Sequence, residues 1–226
     1  MKVTGLSNNK IGIVFDLDGL LVDSEKLYWK ANIQAAKEAG LDISEDNYLD
    51  LVGASTSMME EFYDKYLPDK IGRDNFIERT KKLVWQWVEE GQLSLRPGVQ
   101  KALDKFKELN LSMGIASSSL RIEVDHDLWK TGIRNYFDFI LTFDDVDKNH
   151  LKAKPAPDIY LEAQKKLKIP KDEILIFEDS STGVTAAYNA GIECVMIPDI
   201  KKPSIQDKKY ASLICENFFD FLKKIH

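Results

Sequence analysis

The sequence is poor in the side chains that most often bind transition metals or form disulfides. Its only cysteines are Cys194 and Cys215, which lie too far apart for a metal-binding or redox motif. The histidines His126, His150 and His226 share no helix-face spacing. Zinc sites built on histidine and Ser-His catalytic triads therefore have little support. Carboxylates therefore remain as the main candidates for catalytic and metal-binding side chains.

Long apolar runs are also missing. No stretch approaches the ~20 consecutive apolar residues of a membrane span, and the run before Asp16 is too short for a secretory signal. The 37 acidic residues outnumber the 31 basic ones, so the chain should on average repel nucleic-acid phosphates. We therefore expect a cytoplasmic monomer that binds neither membranes nor nucleic acids.

Short apolar runs predict the strands of a sheet, and helical patterns separate them. The predicted strands cover residues 11–16, 111–116, 137–143, 174–177 and 193–197. The predicted helices cover residues 99–108, 121–130, 157–166 and 183–190. This alternation predicts an α/β fold with a doubly wound parallel sheet. Asp, Glu or Ser follows the carboxyl end of most of these strands. Ligands of such sheets bind outside the carboxyl ends of the strands.

The segment from about Ser24 to Leu93 interrupts the alternation. It shows helical spacing without convincing strands, and we expect about four helices, one of them over residues 44–52. Asp23 is expected to cap the helix that starts at Ser24. The interpretation is a catalytic core formed by residues 1–22 and 94–226, with a helical cap of residues 23–93 inserted over its active edge.

Two carboxylates follow the first predicted strand, in the sequence Asp16-Leu17-Asp18-Gly19. Residues i and i+2 of a strand point to the same side, so both carboxylates should face one site. Their mutual repulsion favours a bound cation or proton. Mg²⁺ prefers such hard oxygen ligands, and the pair Glu178-Asp179 could complete its shell. The alternative for this sequence is a turn without catalytic meaning.

Four segments together resemble the signatures of the haloacid dehalogenase superfamily. The first is FDLDGLLVDS, which starts at Phe15, and the second ends in Ser117. The third is KPAPDIY, which starts at Lys154, and the fourth is FEDS with Gly183 shortly after it. The chain is identified as a member of this superfamily. The helical insertion resembles the cap of its β-phosphoglucomutase-like subgroup, which implies a Rossmann-like core.

The resemblance also implies the catalytic roles. Asp16 would be the nucleophile that becomes an aspartyl-phosphate, and Asp18 would be the general acid and base. Ser117, Ser118 and Lys154 would bind the phosphate. The implied cofactor is Mg²⁺, and its candidate ligands are Asp16, Asp18 (through the backbone carbonyl), Glu178 and Asp179.

The substrate should be a small phosphorylated metabolite, and its choice should depend on Tyr28, Thr56 and Arg121. The loop Gly53–Ser57 carries no basic residue, and none occurs between Lys37 and Lys65. A second phosphate would need such a cation. The sequence therefore predicts a magnesium-dependent phosphatase of small phosphate monoesters such as sugar phosphates. The alternatives are β-phosphoglucomutase or a related sugar phosphomutase, and a catalytically weak phospho-ligand-binding protein.

Overall fold

The structure, a computed structural model, describes residues 1–51, 54 and 56–226, without the side chains of residues 50 and 56. In this part of the chain, parallel strands form one sheet in the order β3-β2-β1-β4-β5-β6. The strands are β1 (Gly12–Phe15), β2 (Ser112–Ala116), β3 (Phe139–Leu141), β4 (Ile174–Glu178), β5 (Cys194–Met196) and β6 (Leu213–Ile214). The predicted α/β fold with a doubly wound parallel sheet is confirmed.

Two groups of helices accompany the sheet. Those that follow β1 directly and precede β2 are α1 (Ser24–Glu38), α2 (Thr56–Tyr66), α3 (Lys70–Glu89) and α4 (Val99–Glu108), with a 3₁₀ helix at Glu45–Leu51. The later ones are α5 (Arg121–Lys130), α6 (Phe143–Lys148), α7 (Asp158–Leu167), α8 (Ser181–Ala190), α9 (Ile205–Tyr210) and α10 (Phe218–Leu222). Short 3₁₀ helices lie at Arg134–Tyr136 and Lys171–Glu173.

The centre of the sheet is fully buried, as the near-continuous apolar runs of its strands require. β1 pairs with β2 on one side and with β4 on the other, and all residues of β1 and β4 are buried. Phe15 and Phe177 lie side by side in this register with their rings stacked at 5.3 Å between centroids. The strand order reverses between β1 and β4, which is where ligands bind in such sheets.

The helices between β1 and α4 form a layer of their own. α1 packs on α3, where the Thr80 hydroxyl donates to Asn32 Oδ1 over 3.1 Å. The two segments that join this layer to the sheet pair with each other, because Asp23 N donates to the carbonyl of Ser94 over 2.9 Å. These joining segments lie next to the boundaries predicted at residues 22 and 94.

Several local predictions were wrong. Residues 45–51 do form a helix within the predicted range 44–52, of the 3₁₀ type, but the third strand ends at Leu141, short of its predicted end at residue 143, because α6 begins at Phe143. β6, α6 and α9 were not predicted, since two residues in the strand and six in each helix are too few for a clear periodic pattern. Asp23 does precede α1, but its side chain makes no capping bond and accepts from Lys26 Nζ over 2.8 Å.

Among the described residues, no helix combines the length and the apolar character that crossing a bilayer requires.

Candidate active site

Three buried carboxylates converge where β1 and β4 end. Asp16 follows β1 directly, Glu178 is the last residue of β4, and Asp179 follows it. Each offers an oxygen atom that lies within 4.8 Å of the oxygens of the other two. The adjacent ends of two parallel strands hold them there, and Asp16 N donates to the carbonyl of Phe177 over 3.0 Å. The structure therefore brings together carboxylates that are 162 and 163 residues apart.

Lys154 joins this acidic cluster from the loop before α7. Its ammonium group lies 2.6 Å from Asp16 Oδ1 and 2.7 Å from Glu178 Oε1, and it donates to the carbonyl of Ala116 over 3.0 Å. Burial alone would lower the pKa of Lys154, but the carboxylates of Asp16 and Glu178 outweigh it and raise the pKa. Lys154 is therefore a charged side chain at the nucleophile predicted from the sequence.

The cluster carries more negative than positive charge. Burial raises the pKa of Asp16 to about 7, where Lys154 opposes the shift and Glu178 and Asp18 add to it. Burial, Asp16 and Glu178 raise the pKa of Asp179 well above its usual range. Three buried carboxylates face one ammonium group, and oxygen atoms are the ligands that Mg²⁺ prefers. The donor set and its charge fit a divalent cation.

Glu178 differs from the other two carboxylates because protein groups occupy both of its oxygens. Oε1 accepts from Lys154 and from the hydroxyl of Tyr160, and Oε2 accepts from the Ser180 hydroxyl over 3.2 Å. Helix α8 covers the carboxylate so closely that a Cβ atom on Gly183 would lie 1.8 Å from Oε1. This contact explains why the fourth signature needs glycine at that position.

Asp18 lies beside the cluster and is held by three serine hydroxyls. The Ser24 hydroxyl donates to Oδ1 over 2.8 Å, and the Ser119 hydroxyl donates to Oδ2 over 2.7 Å. Ser117 is farther away, at 3.4 Å from Oδ2. Between Asp16 and α1 the chain turns at Gly19, which has φ +73° and would bring a Cβ within 2.4 Å of Asp179 Oδ2. Glycine is therefore required for this close approach.

The serines after β2 take different positions. Ser117 is fully buried, and its hydroxyl oxygen accepts from the backbone N–H of Ser119 over 3.0 Å. Ser118 and Ser119 line the cavity above the carboxylates. The prediction of phosphate-binding residues included Ser117 and Ser118 and omitted Ser119. A run of three serines gives no sign in the sequence of which hydroxyl bonds to Asp18.

A cavity of about 520 Å³ separates the carboxylate cluster from the helical layer. Asp16, Asp18, Lys154 and Asp179 lie on its sheet side. The helical layer contributes aromatic and polar residues, including Tyr28, Trp29, Asn32, Tyr48, Tyr63 and Lys81. The cavity thus opens directly onto the carboxylates and has room for a small organic molecule.

The residues predicted to choose the substrate differ in their position relative to the cavity. Tyr28 lines the cavity. Arg121 is not among the lining residues described, because its guanidinium group donates to the carbonyl of Ile140 over 2.8 Å and pairs with Asp145 over 2.7 Å. Of the loop Gly53–Ser57, Gly53, Ser55 and the side chain of Thr56 lie outside the described residues. The role of Thr56 in substrate choice therefore stays a prediction.

Sequence reasoning missed one basic residue of the helical layer. Lys81, in the middle of α3, lines the cavity and pairs with Glu123 of α5 over 3.0 Å. Lys81 lies beyond the segment between Lys37 and Lys65, which contains no basic residue and ends before α3. A lysine on a polar helix face has no special pattern, and the fold alone brings it to the cavity.

Comparisons with known proteins agree with this geometry. The family model for haloacid dehalogenase-like hydrolases matches residues 13–197, which include both ends of the carboxylate cluster. A phosphorylated carbohydrates phosphatase from Thermotoga maritima is 33% identical over 184 residues, 80% of this chain and 82% of its own length. Hexitol phosphatase B from Escherichia coli K12 is 30% identical over 190 residues and covers 83% of both chains.

A solved structure supports the fold. The crystal structure of a hydrolase from Pseudomonas syringae superimposes with a TM-score of 0.78 at 23% sequence identity. The match covers 95% of this chain and 97% of that one, so the sheet and the helical layer both have counterparts.

Proposed function

Since the chain belongs to the haloacid dehalogenase-like hydrolase family and is a phosphoric monoester hydrolase, we propose that it is a magnesium-dependent phosphatase of phosphorylated carbohydrates that works through Asp16. The observation that carries the proposal is the pairing of Asp16 with Lys154 beside Asp179, at the floor of the cavity that Asp18 also lines. In this proposal Asp16 is the nucleophile, Lys154 the cation and Asp18 the proton donor, and all three line the same cavity.

In the first proposed step, a carboxylate oxygen of Asp16 attacks the phosphorus atom of the ester. The bond between phosphorus and the ester oxygen breaks, and Asp18 gives its proton to the departing alcohol. Asp18 is suited to this because the Ser24 and Ser119 hydroxyls fix its carboxyl group at the cavity wall. In the second step, Asp18 takes a proton from water, the water oxygen attacks phosphorus, and Asp16 leaves as a carboxylate.

Charge on the transferred phosphoryl group needs compensation, which Lys154 supplies from its position 2.6 Å from Asp16 Oδ1. We propose Ser118 and the neighbouring N–H groups as further phosphate ligands, and Ser117 as well once its hydroxyl turns away from Asp18 Oδ2, which it contacts at 3.4 Å. Asp16, Asp179 and the backbone carbonyl of Asp18 would hold Mg²⁺. When bound, the ion neutralises negative charge on the carboxylates and the phosphoryl oxygens. Glu178 would support the site through Lys154, because its oxygens are already hydrogen-bonded.

We propose residues 1–22 and 94–226 as the catalytic core and residues 23–93 as its cap. The cap would exclude water from the reacting groups and select the substrate. Two relatives, at 33% and 30% identity, are named for phosphorylated carbohydrates and for hexitols. These names, together with a cavity large enough for a six-carbon sugar, support phosphorylated carbohydrates as substrates.

A sugar phosphomutase remains the alternative from the same family. Such an enzyme must hold a second phosphate while the first one reacts, which needs a cation on the cap. Among the described cap residues, Lys81 is the basic residue that lines the cavity, and Glu123 already pairs with it. This pairing favours hydrolysis. A protein that only binds phosphorylated ligands would have no use for the nucleophile and acid pair formed by Asp16 and Asp18.

The proposal is tested by measuring phosphate release from a panel of phosphorylated sugars and sugar alcohols. We expect release that EDTA abolishes and Mg²⁺ restores, and none from the Asp16→Asn variant, which keeps the shape of the side chain but not its charge. Activity of fully chelated enzyme, or of Asp16→Asn at the wild-type rate, would exclude the mechanism. Conversion of β-glucose 1-phosphate to glucose 6-phosphate without phosphate release would identify a mutase.

A further inference from the structure

Helix α3 of the cap and helix α5 of the core contact each other along an α3–α5 seam beside the cavity. On α3 the contacting residues recur every four positions, and on α5 every three or four, so that successive turns meet. The pairs are Lys81 with Glu123 at 3.0 Å, Trp85 with His126 stacked at 3.8 Å between ring centroids, and Glu89 with Lys130 at 2.5 Å. The first of these pairs is the one that lines the cavity.

Glu123 is fixed in place by its own helix. Its Oε2 accepts from the backbone N–H of Leu120 over 3.1 Å, at the start of α5, while Oε1 pairs with Lys81. The carboxylate is also largely shielded, with 21% of the side chain exposed, whereas Lys81 is 47% exposed. Lys81 is therefore the movable partner of an ion pair whose acidic member is held firmly.

The rest of the cavity would not compensate a further negative charge. Its described lining residues include five acids, which are Asp16, Asp18, Glu25, Glu123 and Asp179. The basic lining residues are Lys81 and Lys154, and both are paired with carboxylates. A bound Mg²⁺ would act at the carboxylate cluster and the phosphoryl group. An anionic group elsewhere on a substrate would meet like charge, which disfavours its binding.

The cap side of the cavity offers neutral polar groups instead. Asn32 and Thr80 line it and are hydrogen-bonded to each other. Tyr48 also lines it, and its buried hydroxyl has no hydrogen-bond partner among the described residues. These side chains carry no charge, so they would not compensate an anionic group on a ligand. Hydroxyl groups of a carbohydrate match this set.

We propose that the Lys81–Glu123 pair is a specificity determinant that selects monoesters whose alcohol part is neutral and polyhydroxylated, and that it rejects esters with a second anionic group. This rests on the proposed function and names its substrate class. An anionic group would have to draw Lys81 away from Glu123 and leave that carboxylate unpaired next to it. A neutral hydroxyl group can bond to either member without separating them.

Two linear six-carbon esters test this, because sorbitol 6-phosphate and 6-phosphogluconate differ in a CH₂OH group that is replaced by a carboxylate. Wild-type enzyme should show the higher kcat/KM for sorbitol 6-phosphate. Glu123→Gln removes the charge, keeps an acceptor for Leu120 N–H and frees Lys81. We expect it to shift the ratio of the two kcat/KM values about fivefold toward 6-phosphogluconate. The additional change Lys81→Met should abolish that shift.

The exposed pair Lys82–Glu78, on the same helix at 2.6 Å, provides the matched control, and Glu78→Gln should leave the ratio unchanged. Calorimetry gives the same comparison without turnover. It measures the binding of both esters to the single variant Asp16→Asn and to the double variant that carries both Asp16→Asn and Glu123→Gln. An unchanged ratio in both experiments would overturn the specificity proposal while phosphatase activity stands. A shifted binding ratio with an inert wild-type enzyme would support the specificity proposal and contradict the proposed function.

Discussion

Lys154 Nζ and Asp16 Oδ1 lie 2.6 Å apart in the interior of the protein, although the two residues are 138 positions apart in the chain. Their side chains are 5% and 10% exposed, so little water screens the pair. The same ammonium group also contacts Glu178, which lies one position before Asp179. One lysine therefore links the proposed nucleophile to the strand that leads to Asp179, a proposed metal ligand.

Replacing Lys154 by methionine should affect catalysis and stability together. The variant would leave three buried carboxylates without their cation, and such a loss typically costs about 3–5 kcal/mol. We expect kcat to fall at least about 100-fold, as when a preorganised charge-stabilising group is removed. Steady-state kinetics and urea unfolding in EDTA measure the two effects. The exposed Lys152 is the control position, and a Lys154→Met variant that behaved like Lys152→Met would contradict this role.

Stability of the metal-free protein should depend on pH through the carboxylate cluster. Burial raises the pKa of Asp16 to about 7, whereas an unfolded chain has Asp near 3.9. Between these values the folded protein binds more protons than the unfolded chain. The free energy of unfolding should therefore fall as pH rises through this window. Mg²⁺ binds the deprotonated carboxylates and should reverse the trend.

Thermal melts check this dependence. The rise in Tm on replacing EDTA with saturating Mg²⁺ should be larger at about pH 8 than at about pH 5.5. In Asp16→Asn the rise should be smaller, and its pH dependence should weaken. A rise that is equal at both pH values, or larger at the acidic one, would contradict binding of Mg²⁺ to this cluster.

The meeting of the carboxylates at the strand ends could be predicted from the sequence because it depends on short local patterns. Asp16 and Asp18 follow one apolar strand, and Glu178 and Asp179 end another, so the parallel sheet alone brings them together. Gly183 also belongs to a short local pattern, the fourth signature. The structure explains this glycine by the close contact that a Cβ atom at this position would make with Glu178.

The cap residues could not be predicted in the same way. Lys81 reaches the cavity only because α3 packs against α5, and its partner Glu123 is 42 residues further along the chain. Ser119 bonds to Asp18 through the shape of the loop after β2, which three consecutive serines do not reveal. Arg121 turns to Asp145 because α6, an element absent from the sequence prediction, places that carboxylate beside it.

Ser119 should influence the rate through Asp18. Its hydroxyl donates to Asp18 Oδ2 over 2.7 Å, so Ser119→Ala removes a bond that orients the general acid and base. We expect kcat to fall about tenfold, less than the ~100-fold or more that general acid–base catalysis contributes, because Asp18 keeps its bond from the Ser24 hydroxyl. In an Asp18→Ala background the same substitution should have no further effect on kcat. Equal losses in both backgrounds would show that Ser119 acts independently of Asp18.

Trapping the phosphoenzyme gives the clearest evidence on whether Asp16 becomes phosphorylated. Asp18→Asn should react with acetyl phosphate, whose acetate leaving group needs no proton, and should then hydrolyse slowly because no base activates water. Acid quenching, trypsin digestion and mass spectrometry should show a hydroxylamine-sensitive phosphoryl group on the peptide of residues 11–26, which contains Asp16. The Asp16→Asn, Asp18→Asn variant should lack it. A hydroxylamine-stable phosphoryl group on Ser117, Ser118 or Ser119, or acetate release without any phosphorylated peptide, would show that Asp16 is not the nucleophile.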